Sequence, residues 1–260
     1  MKLSEIFAPG LLAGRRALVT GGGTGIGFAI ARELGTLGAA VTLAARSEER
    51  LEAAARDLRS AGIDATARKL NIRKDEDVTA LFDALAAANE MPDILVNNAG
   101  GQFVADPLAL SANGFRAVVD LNLQGTWQMT RAFAERLIPT GRKGSIVNIV
   151  LSTFDGSPMM VHSAAARAGV VNMTKSLAFA WGPKGITLNS IAPGTIDTDA
   201  LDAYGRDAMV AWGKRLPVAR LGAADEIAWA AAYLCSPAGA YITGTTLIID
   251  GGQHLMGADR

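Results

Sequence analysis

The octapeptide Thr20-Gly21-Gly22-Gly23-Thr24-Gly25-Ile26-Gly27 constrains this chain more than any other stretch. It joins a short apolar run, Ala17 to Thr20, that reads as a buried strand, to Ile26–Leu37, which reads as a helix. Glycines at such a junction let the backbone turn tightly and approach a pyrophosphate, whose charge meets the helix N-terminus. A glycine cluster alone would say little. Placed between a strand and a helix, it implies a dinucleotide site of Rossmann type.

The rest of the chain repeats the alternation. Ala40–Ala45, Thr66–Leu70, Ile94–Asn97, Ser145–Val150, Thr187–Ile191 and Thr246–Ile249 are further strand candidates, separated by helix-like sequence such as Glu48–Ser60. Near-continuous apolar strands with helical crossovers imply a parallel sheet covered on both faces. The expected fold class is α/β: one doubly wound Rossmann domain spanning residues 1–260, with about seven strands. Residues 198–216, rich in polar and aromatic groups, interrupt the pattern after the sixth strand. They read equally as a substrate lid and as a surface helical insertion.

Composition narrows the function classes. Twenty-five basic residues balance 25 acidic ones, so no basic excess points to nucleic acid or a membrane surface. No apolar run reaches membrane-spanning length. Cys235, the single cysteine, lies in an apolar helical stretch and reads as a packed thiol, which suits a reducing compartment. The short N-terminal stretch with acidic Glu5 does not read as a signal peptide, and the last residues, Ala258-Asp259-Arg260, do not match a peroxisomal address. A cytoplasmic protein is the expectation.

The end of the second strand selects the cofactor. An acid there would bind a free ribose 2′-hydroxyl and repel a 2′-phosphate. This chain has Ala44-Ala45-Arg46-Ser47 instead, and Arg46 offers a planar fork for phosphate, with Ser47 adding a hydroxyl. NADP(H) is the expected cofactor.

The T-G-x-x-x-G-x-G spacing resembles that of the short-chain dehydrogenase/reductases, and further motifs extend the resemblance along most of the chain. Asn71-Ile72 is similar to the family's adenine-contacting Asp-Val, and Asn97-Asn98-Ala99-Gly100 matches N-N-A-G. Asn122 matches the active-site asparagine, and Pro193-Gly194-Thr195-Ile196-Asp197-Thr198 resembles the loop around the nicotinamide carboxamide. The resemblance implies cofactor contacts from Gly21, Thr24, Gly25, Ile26, Gly27, Arg46, Ser47, Asn71, Ile72, Asn98, Ala99, Gly100, Arg167, Pro193, Gly194, Ile196 and Thr198. It also implies a homo-oligomer, commonly a tetramer.

One departure carries more information than the matches. The family's Y-x-x-x-K supplies a phenol that protonates a carbonyl oxygen and a lysine that binds nicotinamide ribose. Here the stretch reads Val161-His162-Ser163-Ala164-Ala165-Ala166-Arg167, with Ser163 and Arg167 at those two places. A serine hydroxyl is a far poorer acid than a phenol, so carbonyl reduction by the usual relay is in doubt. Reduction of a C=C bond conjugated to a thioester needs less. Charge collects on the thioester oxygen, aimed donors must stabilise it, and the proton goes to carbon.

Residues 161–176 and Asn97–Phe103 resemble the peroxisomal trans-2-enoyl-CoA and 2,4-dienoyl-CoA reductase subgroup, which implies an acyl-CoA substrate. On that resemblance Arg167 binds nicotinamide ribose, or is a structural helix arginine. Asn122 orders a water or binds the thioester oxygen, and also supports a helix kink. Ser152 or Thr153 donates to the enolate, or merely caps the strand. His162 is a proton source, a thioester contact or a wall residue. Gln102, Phe103 and Tyr204 are the expected substrate contacts, with ordinary core the alternative for Phe103. Two other readings remain open: a carbonyl reductase with an atypical acid, and a silent dinucleotide-binding protein.

Overall fold

A computed structural model describes residues 4, 6–152 and 156–256. The strands are β1 (Arg16–Thr20), β2 (Ala40–Ala45), β3 (Ala65–Lys69), β4 (Ile94–Asn97), β5 (Gly144–Ile149), β6 (Ile186–Pro193), β7 (Ile196–Asp197), β8 (Gly222–Ala223) and β9 (Thr246–Ile249). Seven of them form one sheet in the order β3-β2-β1-β4-β5-β6-β9, every pairing parallel. The helices are α1 (Gly25–Thr36), α2 (Glu48–Ser60), α3 (Asp75–Ala87), α4 (Ala112–Val119), α5 (Gly125–Leu137), α6 (Val161–Trp181), α7 (Arg206–Gly213) and α8 (Ala224–Cys235). The expected single-domain doubly wound fold is the one observed.

The period-two alternation of the strands sorts the core. Val19, Val96 and Val147 pack on α1, α2 and α8, while their neighbours Leu18, Leu95 and Ile146 pack on α3, α5 and the end of α6. Helices therefore cover both faces, as a parallel sheet requires. The strand order reverses between β1 and β4, so the loops after these two strands flank the crevice where such folds bind ligands.

Small departures from the sequence expectations have local causes. β3 starts at Ala65 and ends before Leu70, whose N–H still reaches Ala45 O at 2.9 Å. The short pair β7–β8, which periodicity could not reveal in two-residue strands, ties residues 196–197 to 222–223. The segment expected at 198–216 folds as a 3-10 stretch, Asp199–Tyr204, followed by α7. Between α4 and α5, residues Asp120–Gln124 form one π-helical turn. Cys235 is buried in α8, and burial pushes its thiol up to about 12, which makes it an inert packing group.

Candidate active site

The glycine loop after β1 is shaped by backbone contacts. Gly21 and Gly25 have φ of +65° and +54°, left-handed conformations that favour glycine. A Cβ at Gly21 would lie 2.8 Å from Asn98 Nδ2, and one at Gly27 would collide with the Gly21 carbonyl and Asn98. Thr20 and Asn98 fasten the loop after β4 to the loop after β1. Asn98 Nδ2 donates to the carbonyls of Thr20 (3.1 Å) and Gly21 (3.2 Å). The backbone N–H groups of Asn98 and Ala99 donate to Thr20 Oγ1, each at 3.0 Å.

A cleft of about 340 Å³ opens along this junction. Of the sequence-expected cofactor residues, Gly21, Thr24, Gly25, Ile26, Arg46, Asn71, Ile72, Asn98, Ala99, Gly100 and Thr198 line it. Ser47 lies in an adjoining hollow of about 410 Å³ that also holds Arg46 and Arg50. Arg50 was not singled out from the sequence; it stands in the first turn of α2, and the available signal was a second basic residue close after Arg46. Gly27 sits behind the cleft, where its missing side chain lets α1 close on the loop. Pro193, Gly194 and Ile196 do not line the cleft either: Pro193 and Ile196 are buried, and Gly194 packs on Asp250.

At the far end of the cleft, Gly100 separates two polar side chains. A Cβ there would lie 2.5 Å from Arg167 Nη2 and 2.6 Å from Asn122 Oδ1. Arg167 donates to the Ile149 carbonyl at the end of β5. Burial lowers its pKa to about 10, which still leaves it charged at neutral pH. Asn122, carried by the π-helical turn, commits its amide to backbone: Nδ2 donates to Gly101 O (2.7 Å) and Val118 O (2.8 Å), and Oδ1 accepts from Gly101 N (3.2 Å). Asn122 therefore pins the loop after β4.

That loop carries Gln102 to the first turn of α6. Ser163, fully buried, donates from Oγ to Gln102 Oε1 at 2.6 Å, and Gln102 Nε2 donates to the Tyr204 hydroxyl at 3.5 Å. Three residues from distant parts of the chain thus form one chain of contacts. Beside them the Phe103 ring meets His162 edge-on, centroids 4.5 Å apart. His162 is wholly buried and neither ring nitrogen has a hydrogen-bond partner among the described residues.

Ser152 needs a correction. Its Oγ donates to Asp250 Oδ2 at 2.6 Å, and a hydroxyl has one hydrogen, so in this geometry it has none to offer an enolate. Thr153 lies outside the described residues. Asp250 also contacts His254 Nδ1 at 2.9 Å and accepts from the N–H groups of Gly252 and His254. Burial raises the Asp250 pKa, but the hydrogen bonds from Ser152, His254 and Gly252 outweigh it and leave the carboxyl below its ordinary value. Sequence reasoning missed Asp250, whose only signal was the Asp250-Gly251-Gly252 turn after the last strand.

A nucleotide-type cleft at the switch point of a parallel sheet, extended by polar side chains from the ends of β4, β5 and α6, defines a dinucleotide-dependent oxidoreductase of Rossmann type. Residues 21–254 match the family model described as Enoyl-(Acyl carrier protein) reductase. The chain belongs to the short-chain dehydrogenase/reductase family. The peroxisomal 2,4-dienoyl-CoA reductase of Rattus norvegicus is 37% identical over 256 residues, covering 96% of this chain and 87% of the relative. An oxidoreductase of Caenorhabditis elegans named as uncharacterized is 40% identical, covering 96% and 83% respectively. Among solved structures, an Agrobacterium tumefaciens protein with bound NADP, provisionally named 2-deoxy-d-gluconate 3-dehydrogenase, is 38% identical with a TM-score of 0.86, covering 95% of this chain and 98% of its own. The citronellol catabolism dehydrogenase of Pseudomonas aeruginosa is 35% identical with a TM-score of 0.85, covering 96% and 98%.

Proposed function

We propose that the protein reduces, with NADPH, the activated C=C bond of a 2-enoyl-CoA or 2,4-dienoyl-CoA thioester. The observation that carries this reading is the state of Ser163 at the place of the family's tyrosine. It is no phenol, and its one hydrogen is committed to Gln102. The dienoyl-CoA reductases among the relatives point the same way.

The cradle fits a nicotinamide dinucleotide with a 2′-phosphate. Gly21, Gly22 and Gly27 leave no room for a side chain in the loop where the pyrophosphate would approach. Arg46, Arg50 and Ser47 gather at the end of β2, where among the described residues no carboxylate lines either hollow. Bound NADPH supplies the hydride. Arg167, charged and held by the Ile149 carbonyl, would hold the nicotinamide ribose in the lysine's place. Asn122 keeps the 100–101 backbone in register so that Arg167 and Gln102 keep their positions. Residues 198–216 close over the acyl end in this reading. A homo-oligomer, as a tetramer, and a cytoplasmic location belong to the same proposal as family-level and compositional expectations.

A second reading, carbonyl reduction with an atypical donor, is favoured by one feature: the Tyr204 phenol reaches the Gln102 side of the site. NADPH oxidation followed over crotonyl-CoA, 2,4-hexadienoyl-CoA and acetoacetyl-CoA separates the two. The expected outcome is turnover of the enoyl or dienoyl ester at least ~100-fold above acetoacetyl-CoA, the scale of one lost transition-state donor. The opposite order would sink the C=C reading.

A further inference from the structure

The polar chain Ser163–Gln102–Tyr204 has a direction, and the direction fixes what its far end can do. Ser163 can satisfy the Gln102 carbonyl oxygen only as a donor, through its one hydrogen, at 2.6 Å. The Gln102 amide is oriented with Oε1 toward Ser163 Oγ and its NH₂ group toward Tyr204. The amide nitrogen meets the Tyr204 oxygen at 3.5 Å, so the phenol oxygen is the acceptor there. The Tyr204 hydrogen is left free, and no acceptor for it lies among the described residues. Tyr204 is also half-buried at the end of the 3-10 stretch that follows Thr198, which lines the cofactor cleft.

We propose that Tyr204 is the phenolic donor of this site: it enters from the 199–204 segment and donates its hydrogen bond to the thioester oxygen of the substrate, with Ser163 and Gln102 as positioning residues. The inference rests on the function proposed above and deepens it. The step is a hydrogen bond without proton transfer. As the new C–H bond forms at the far end of the conjugated system, the π-electron pair moves toward the thioester oxygen. Tyr204 stabilises that oxygen until water gives a proton to an enolate carbon, the α-carbon for a 2-enoyl ester, which restores the thioester C=O and leaves hydroxide. A donor approaching from this side suits charge on oxygen because it need not surrender its proton, so a phenol of ordinary acidity suffices.

The chain explains Ser163 as well. A serine in place of the family's tyrosine is an orienting group for an amide that in turn orients a tyrosine elsewhere. Gln102 is the pivot, and reversing its polarity should matter as much as removing the phenol.

Two measurements test this on the full-length protein. In the first, crotonyl-CoA labelled with ¹³C at the thioester carbonyl is bound with NADP⁺, and its carbonyl stretch is read by isotope-edited infrared spectroscopy. The expected result is a downshift that disappears in Tyr204→Phe. In the second, kcat is measured on the best enoyl or dienoyl ester. Tyr204→Phe should lower it about 100-fold, the usual cost of one oxyanion donor, with NADPH affinity and Tm unchanged. Gln102→Glu should lower kcat similarly although the phenol remains, because the carboxylate draws the Tyr204 hydrogen to itself; Ser163→Ala should have a smaller effect of the same sign.

A bound ester without the downshift, a downshift that persists in Tyr204→Phe, or a kcat within threefold of wild type overturns the Tyr204 assignment while leaving C=C reduction standing. If wild type neither binds nor reduces any enoyl or dienoyl ester, the function falls and this assignment falls with it.

Discussion

The two ends of the cleft are built from different materials. At the dinucleotide end, the shape comes from backbone: glycines in left-handed conformations, two adjacent N–H groups on Thr20 Oγ1, and carbonyls held by Asn98. At the acyl end it comes from side chains carried by three separate elements: Gln102 after β4, Ser163 on α6 and Tyr204 in the 3-10 stretch. A backbone-built site is fixed by residues close in sequence. A side-chain-built site is fixed by the tertiary fold, and so tolerates the loss of a family's signature residue more easily.

That contrast is sharpest inside the glycine loop, which supplies the largest expected effect. A Cβ at Gly27 would meet backbone, the Gly21 carbonyl, which cannot yield without opening the turn. A Cβ at Gly23 would meet Leu51 Cδ2 at 3.7 Å and the Arg50 backbone at 3.8 Å, all ordinary contacts. Gly27→Ala should therefore weaken NADPH binding by ~100-fold or more, or destabilise the fold by about 1–3 kcal/mol of overpacking. Gly23→Ala should stay within a few-fold of wild type. Equal effects from the two would show that the cradle does not depend on close backbone approach.

The polar edge of the same end gives the next effect. Arg46 and Arg50 face one hollow, so Arg46→Asp puts a charge of the wrong sign beside any 2′-phosphate. NADPH binding should fall about 10–100-fold relative to NADH, in keeping with ~1.5–3 kcal/mol for a hydrogen bond to a charged group. Fluorescence titration with both cofactors reads the ratio directly. An unchanged ratio would move the phosphate-binding role away from Arg46.

The same division explains how much was legible beforehand. The seven strands of the main sheet were readable to within a residue or two, most of them because they are near-continuous apolar runs, and Thr20–Gly27 and Asn98–Gly100 were readable because their work is local. Arg50 was four positions from a residue already in view. Asp250 was not readable as the partner of Ser152, since 98 positions separate them and only the packing of β9 beside β6 joins them. Gln102, Ser163 and Tyr204 were each named from the sequence, but their connection was not. Hydrogen-bond direction between residues 61 and 102 positions apart leaves no trace in local periodicity.

The smallest effect tests what holds the 198–204 segment between the two ends. Glu226, in the first turn of α8, accepts from both Arg220 nitrogens at 2.7 and 2.8 Å and from Ala223 N at 2.8 Å, anchoring β8. β8 in turn pairs with β7, from which the chain leads into Thr198 and Tyr204. The Arg220 guanidinium and the Ala223 N–H lower the Glu226 pKa from 4.5 to about 2. A depressed carboxylate stabilises the fold fully above its unfolded value, and that contribution is lost as pH falls through the folded value. The window is thus about pH 4.5 down to 2. Because Arg220 is largely solvent-exposed, the pair contributes at most ~1 kcal/mol, or about 2–4 °C in Tm for a chain of this size. Glu226→Gln should lower Tm by that amount at pH 7 and by progressively less toward pH 2, measured by calorimetry. If the variant also lowers kcat on the acyl-CoA ester while leaving NADPH affinity intact, the β7–β8 tie serves the side-chain-built end; if NADPH affinity falls first, it serves Thr198 and the backbone-built end.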